Sequence, residues 1–439
     1  MLTPTTLALI SVVLLFGLIL LGVHIGVALA AVSVLTLWLI SGKFAVAISL
    51  LQTTAYSAVM DYVFAVVPLF VLMGVFATVS GATRELFASA QALLGRVRGG
   101  IGIATVFANA VFAAITGVSV ASAAVFSKVA LPEMERLRYD RKFSLGIVAG
   151  SAILGMLIPP SVLMIIYGVL TEQAIGKLFV AGILPGLVVM TVLSVGIWTM
   201  VLVKPRLGGR QVEVRRLDFR TLVRVATAPW AVVALVILVV GGIWGGFFTP
   251  TEAGAVGAAG GFLLIFINRQ KLTLRGLWQI LLDAGQTTAS IFLLLICAQM
   301  YSRVLTMSGL AGNVTQWVTA LAIPPIFIVL GFIVVFVLLG CILDSTSIII
   351  LTIPLMHPIA LNLGYDPLWF AIVAILSIEI GLLTPPFGMV AFAMKSAIGK
   401  TVQVEEIFAG VVPFILLLGL ALGIIIAFPR LSTWLPSLM

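Results

Sequence analysis

The chain has 439 residues, of which 62% are hydrophobic and only 9% charged. That balance excludes a soluble domain and fits a polytopic membrane protein. The net charge of +9 is gathered in short loops, where it orients spans in a bilayer rather than binding nucleic acid.

In chain order, apolar runs at 5–22 and 24–41 predict two spans, with no basic residue before Lys43 to suggest a signal peptide; residues 1–23 are read as a retained first span. Residues 43–60 and 83–97 mix charge with apolar side chains and predict interfacial arms around a span at about 62–80. The segment 101–127 is long enough to cross, yet Arg96 and Arg98 precede it and Lys128, Arg136, Arg138, Arg141 and Lys142 follow it. Both ends then face the cytoplasm, which predicts a re-entrant hairpin with its tip in Thr116-Gly-Val-Ser-Val-Ala-Ser122. The run 143–171 contains Gly155-Met-Leu-Ile-Pro-Pro-Ser161. Two adjacent prolines remove donors and clash with the preceding turn, so this span breaks near Ile158. A span at 178–203 leads to the basic segment 204–228, a cytoplasmic linker lying near anionic headgroups.

The second half repeats the first. A connecting span occupies 229–248, and the second unit covers 249–439: a span at 252–268, an arm at 271–286, a span at 289–307, an arm at 310–322, a hairpin at about 325–356, a broken span at 368–394 and a last span at about 408–428. Gly381-Leu-Leu-Thr-Pro-Pro-Phe387 echoes the first break, and Gln286-Thr-Thr-Ala289 echoes Gln52-Thr-Thr-Ala55. Counting spans from a cytoplasmic 204–228 makes the first unit, 24–203, and the second unit inverted copies, with both termini periplasmic. The fold class is therefore all-α and polytopic, with two inverted repeats, each carrying a re-entrant hairpin and a Pro-Pro-broken helix.

Matched broken helices in two halves are the sequence pointer to a transporter's binding site. Freed carbonyls and hydroxyls are hard oxygen ligands suited to Na⁺, and half-helix N-termini suit a carboxylate. The candidate ion ligands are Gly117, Ser119, Ser122, Ile158 and Pro159 in the first half, and Asp344, Ser345, Thr346, Thr384 and Pro385 in the second. Candidate substrate contacts are Ser119, Ser122, Pro160, Ser161, Ser345, Thr346, Glu379 and Pro386. Asp344 can cap a helix, bind an ion, or do both. Glu379, matched by Ile153 in the first half, is either functional, as intramembrane acids are by default, or a structural hydrogen-bonding group or partner of Lys395. Cys297 and Cys341 read as small buried residues, and His24 and His357 as isolated residues at segment ends. No metalloprotease, Walker or paired-aspartate motif marks an enzyme.

The runs Ala114-Ile-Thr-Gly-Val-Ser-Val-Ala121, Leu154-Gly-Met-Leu-Ile-Pro-Pro-Ser161, Leu343-Asp-Ser-Thr346 and Gly381-Leu-Leu-Thr-Pro-Pro-Phe-Gly388 together resemble the large membrane subunit of TRAP (tripartite ATP-independent periplasmic) transporters. Val118 replaces one of the two adjacent serines usual at the first tip, and Ser345 stands where proline is common. The resemblance implies import of a small organic acid driven by Na⁺, with a small four-helix membrane subunit, here a separate polypeptide, and a periplasmic substrate-binding protein as partners. It also implies a bacterial inner membrane, a lipid surround and an elevator in which the hairpins move against a fixed scaffold cradled by the arms.

Overall fold

The structure, a computed structural model, describes residues 3–60, 62–209, 225, 227–310, 312–314, 316, 323–399 and 401–439. The described residues are helical, with turns and irregular connections between helices. Of the expected basic linker 204–228, only 204–209, 225, 227 and 228 are described, and the arm expected at 310–322 also lies largely outside the described residues.

The first half comprises α1 (Pro4–Leu20), α2 (Ile25–Ser41), α3 (Phe44–Met60), α4 (Val66–Val79), α5 (Ala82–Leu94), α6 (Gly100–Thr116), α7 (Ser119–Val129), α8 (Leu131–Arg136), α9 (Arg141–Ala152), α10 (Leu154–Leu157), α11 (Val162–Thr171) and α12 (Ile175–Val203). The second comprises α13 (Trp230–Trp244), α14 (Pro250–Ile267), α15 (Leu274–Met307), α16 (Pro325–Gly340), α17 (Ser345–Asn362), α18 (Pro367–Gly381), α19 (Met389–Ile398), α20 (Val404–Ala427) and α21 (Arg430–Thr433). Among the described residues, seven helical segments are long and apolar enough to cross a bilayer. Local chemistry sets many boundaries. Pro4, Pro250, Pro325 and Pro367 open their helices where no donor is needed. Thr249 and Glu252 form a reciprocal capping box on α14.

The segment 101–127 folds as the paired helices α6 and α7, turning at Gly117 and Val118. The segment 325–356 folds as α16 and α17, turning between Cys341 and Asp344. The helices break at 158–161 and at 382–388. The second-half arm and its following span form a single helix, α15, rather than two elements. No proline interrupts residues 274–307, and of its two glycines Gly276 lies in the first turn while the interior Gly285 costs only about 1 kcal/mol. In the first half the corresponding stretch is divided between α3 and α4, with Pro68 in the first turn of α4.

Packing is reciprocal between the halves. The leading helix of each half lies on a later span of the other: α2 on α15, and α14 on α4. The second arm of each hairpin lies on the second part of the other half's broken helix: α7 on α19, and α17 on α11. Close approach depends on small residues, as membrane helix contacts generally do. One such case is α16 against α18, where a Cβ on Gly381 would stand 2.7 Å from the Val337 carbonyl oxygen and 2.8 Å from Gly340 Cα. Backbone on both sides leaves nothing that can yield. Gly381→Ala should therefore destabilise the protein by about 1–3 kcal/mol. Gly331→Ala on α16, with no atom within 4 Å of its added carbon, should be neutral or stabilising by about 0.5–1 kcal/mol. Thermal unfolding of the detergent-solubilised variants measures both, and equal effects would contradict the packing.

Candidate functional site

The first tip is built on a left-handed turn. Gly117 has φ +62° and a Cβ there would stand 2.6 Å from the Pro160 carbonyl oxygen, so glycine is required twice over. Its own carbonyl accepts a hydrogen bond from the Val162 amide at 3.3 Å, which seats the tip in the break of its own half. Gly155 closes the same contact, since a Cβ there would meet Ser119 N at 2.9 Å. Ser161 caps α11 and donates its hydroxyl to the Met156 carbonyl at 2.6 Å, bridging the break. Pro159, Pro160 and Ser161 are buried and Ile158 is half-buried.

The second tip is held similarly. The Phe387 amide donates to the Cys341 carbonyl at 3.2 Å. Asp344 caps α17, accepting from the Ser347 amide at 3.1 Å and from the Ser347 hydroxyl. Thr384 donates its hydroxyl to the Ile380 carbonyl at 2.9 Å, and Pro385, Pro386 and Phe387 are exposed. Thr346 and Asp344 are half-buried. The Pro159–Pro160 and Pro385–Pro386 peptide bonds are both cis.

Glu379 lies where the tips meet. It is fully buried on α18, and Ser345 at the start of α17 donates to its Oε1 at 2.7 Å. Ser119, at the start of α7, also acts on this carboxylate through its hydroxyl, although Ser119 Oγ and Glu379 Oε2 form no well-aligned hydrogen bond. The expected alternative of a Lys395 partner is not realised: that ammonium donates to the Val402 carbonyl. Ser119, Ser345 and Glu379 are thus gathered between the tips, Gly117 and Pro160 adjoin Ser119 through the first break, Ser122 is buried three residues further along α7, and Pro385 and Pro386 are exposed.

Two buried polar pairs went unrecognised in the sequence. Asn109 on α6 donates to Ser151 Oγ at 2.9 Å, tying the first hairpin to its broken helix. Tyr167 on α11 and His357 on α17 pair at 2.8 Å across the halves. His357 is not at a segment end, because α17 continues through Pro354 and Pro358 to Asn362. A lone amide and a lone imidazole in apolar runs were the available signals. Thr401 and Glu406 are drawn to the start of the first broken helix, where Arg141 pairs with Glu406 at 3.3 Å and donates to the Thr401 carbonyl.

Known proteins share this architecture and sequence. A family model described as "Tripartite ATP-independent periplasmic transporter, DctM component" matches residues 12–431. The C4-dicarboxylate TRAP transporter large permease protein DctM of Pseudomonas aeruginosa is 34% identical over 89% of this chain and 89% of its own length. The sialic acid TRAP transporter large permease protein SiaM of Vibrio cholerae is 30% identical over 85% of this chain and 86% of its own. The solved YdaH transporter of Alcanivorax borkumensis superposes with a TM-score of 0.58 at 16% identity, covering 89% of each chain, a likeness of fold. The chain therefore belongs to the DctM family, the large membrane subunits of TRAP transporters.

Proposed function

We propose that this subunit imports a small organic acid across the bacterial inner membrane, coupled to Na⁺, with the anion delivered by a periplasmic substrate-binding protein and a small four-helix membrane subunit completing the complex. The observation that carries the reading is the meeting of two hairpin tips at a buried, oxygen-lined point, with each tip seated in a break of its own half. Relatives named for C4-dicarboxylates, sialic acid and isethionate support an organic acid as substrate.

The residues fit a coupling ion. The Ser122 hydroxyl is buried without a partner, the Ser119 hydroxyl faces the Glu379 carboxylate, and Na⁺ favours such hard oxygens. The anion is met by helix N-termini instead of basic side chains. Four of them begin at the tips and breaks, at Ser119, Val162, Ser345 and Met389, each with about half a positive charge, and those at Ser119 and Met389 carry no side-chain cap. The hairpins, broken helices and their ion and substrate move together as an elevator against α2, α4, α14 and α15. The halves are inverted copies and both termini face the periplasm.

In proteoliposomes containing both membrane subunits, uptake of the cognate acid should require the loaded binding protein and an inward Na⁺ gradient; full uptake by this chain alone would refute the tripartite reading. Asp344→Asn, which preserves the cap, should keep near-normal uptake, while Asp344→Ala should lose about 1 kcal/mol of stability and much of its Na⁺ dependence. If Asn behaves as Ala, the charge rather than the cap is what Na⁺ coupling needs. For topology, Arg98→Cys and Arg138→Cys should both label only from the cytoplasm; labelling of either from the periplasm removes the first re-entrant hairpin.

A further inference from the structure

The phrase Ala-Gly-x-x-Pro occurs twice, from Ala181 to Pro185 in α12 and from Ala409 to Pro413 in α20. The two copies sit differently. In α12, Ala181, Gly182 and Pro185 are buried, and a Cβ on Gly182 would stand 2.5 Å from both the Leu157 carbonyl oxygen and Met164 Cε. In α20, Gly410 is packed against the Lys142 carbonyl, but Ala409 is exposed and Pro413 half-buried. They line a cavity of about 430 Å³ where the start of α9, the end of α12 and the start of α20 meet. Its walls include Phe143, Val203 and Leu207, and two exposed lysines from different elements, Lys142 and Lys204, also line it.

Among the described residues neither lysine forms an ion pair. The adjacent Arg141 is held by Glu406 and Thr401. The acid in the cavity wall, Asp140, caps α9 by accepting the Phe143 amide at 2.9 Å. The cavity therefore sets a net positive charge beside apolar walls. Those walls continue along the two helices. A second cavity of about 360 Å³, lined by Leu187, Val188, Val192 and Ile424, opens between α12 and α20. On each helix the lining residues recur every three or four positions, so both cavities lie on one face of α12 and one face of α20. From Met200 to Val188 the distance along α12 is about 18 Å. Between the cavities Leu417 packs on Gly196 and joins the helices. The surface over that contact is apolar and open, with Val195 52% and Leu416 71% exposed. Exposed Trp198 lies one turn before the lysine-lined end, as an indole at head-group level does. One acyl chain reaches across half of the hydrocarbon core, about 15 Å. The furrow thus matches a single phospholipid in length and in the order of its polar and apolar parts.

We propose that the furrow between α12 and α20 binds an anionic phospholipid of the cytoplasmic leaflet, its phosphate between Lys142 and Lys204 and an acyl chain running to the second cavity. Basic pockets between membrane helices on the cytoplasmic side suit such head groups. The choice of leaflet rests on the cytoplasmic placement of this end, which labelling at Arg138 tests separately. A free phosphate would leave the apolar furrow uncovered, and a zwitterionic head group would bring a cation toward two lysines. The bound lipid ties the start of the first broken helix, through Lys142, to α12 and α20.

The test titrates dioleoylphosphatidylglycerol into the purified, delipidated two-subunit membrane complex in detergent. Melting temperature and native mass spectrometry report binding. Wild type should gain melting temperature saturably and retain this lipid over phosphatidylcholine and phosphatidylethanolamine. The double variant Lys142→Gln/Lys204→Gln should bind it about 25-fold more weakly, about fivefold for each lysine, with its melting temperature in phosphatidylcholine unchanged. Lys271→Gln, at an exposed lysine that lines neither cavity, should bind as wild type. Ala409→Leu, which fills the first cavity and keeps both lysines, should lose the gain. Wild-type affinity in the double variant overturns the proposal, and an equal loss in Lys271→Gln reduces the binding to diffuse surface charge and overturns it too. An equal response to the zwitterionic lipids, or a full response to inorganic phosphate alone, also overturns it. Binding by this chain alone that vanishes in the two-subunit complex gives the furrow to the small subunit instead.

Discussion

Backbone amides and carbonyls cannot remain unpaired in hydrocarbon, and the whole arrangement follows from satisfying them where the helices stop. Four pieces of this chain leave helical geometry inside its apolar segments: two hairpin turns and two proline breaks. They are used to complete one another. The Gly117 carbonyl takes the Val162 amide, and the Cys341 carbonyl takes the Phe387 amide, so each turn is closed by the break of its own half. Side chains finish the work where backbone cannot. Ser161 spans the first break, Asp344 caps the second tip, and Thr384 returns to the preceding turn of α18. A membrane protein with only one of the two elements in each half would have orphaned donors or acceptors at depth, at roughly 1–3 kcal/mol or more for each. The hairpin and the break are therefore one device.

That device occurs twice but is not chemically duplicated. The first break is buried and carries Ser161, whereas the second is exposed at Pro385–Phe387 and carries Thr384. The acid of the second broken helix, Glu379, faces serines at the start of both α7 and α17, while the matching first-half position is the apolar Ile153. The backbone thus provides dipoles and carbonyls common to both halves, and the side chains decide the charge at each.

How much of this was legible in the sequence depended on the range of the signal. Proline pairs, basic flanks and long apolar runs act locally, so the hairpins, the breaks and most helix limits could be read within a few residues. The first tip was read as Thr116–Ser122, yet the turn itself is only Gly117 and Val118, because Thr116 still belongs to α6 and Ser119 already opens α7. The single helix α15 was missed because polar residues in its first part imitate an interfacial arm, although nothing there obliges the backbone to stop. Partners across the fold were out of reach. Tyr167 with His357, and Asn109 with Ser151, are separated by 190 and 42 residues, and no spacing rule links residues that far apart. Glu379 stood out as an acid in an apolar run; that its neighbours are Ser345 and Ser119 and not Lys395 emerged only from the packing.

The polar ties also limit how such a protein can move. Tyr167–His357 joins the first broken helix to the second hairpin, Ser345–Glu379 joins the second hairpin to the second broken helix, and Asn109–Ser151 joins the first hairpin to the first broken helix. Each is buried, so parting any of them would leave polar groups without water to replace the lost partner. The reciprocal packing of α7 on α19 and α11 on α17 closes the same circuit with apolar contacts. Sliding one hairpin while its counterpart stays still would break several links at once. Displacing all four elements together breaks none of these ties, whereas their packing on α5, α12 and α20 as well as on α4 and α15 is through neighbouring helices that must either move with them or be sheared. These ties therefore favour moving the paired hairpins and broken helices as one unit over moving any one of them alone.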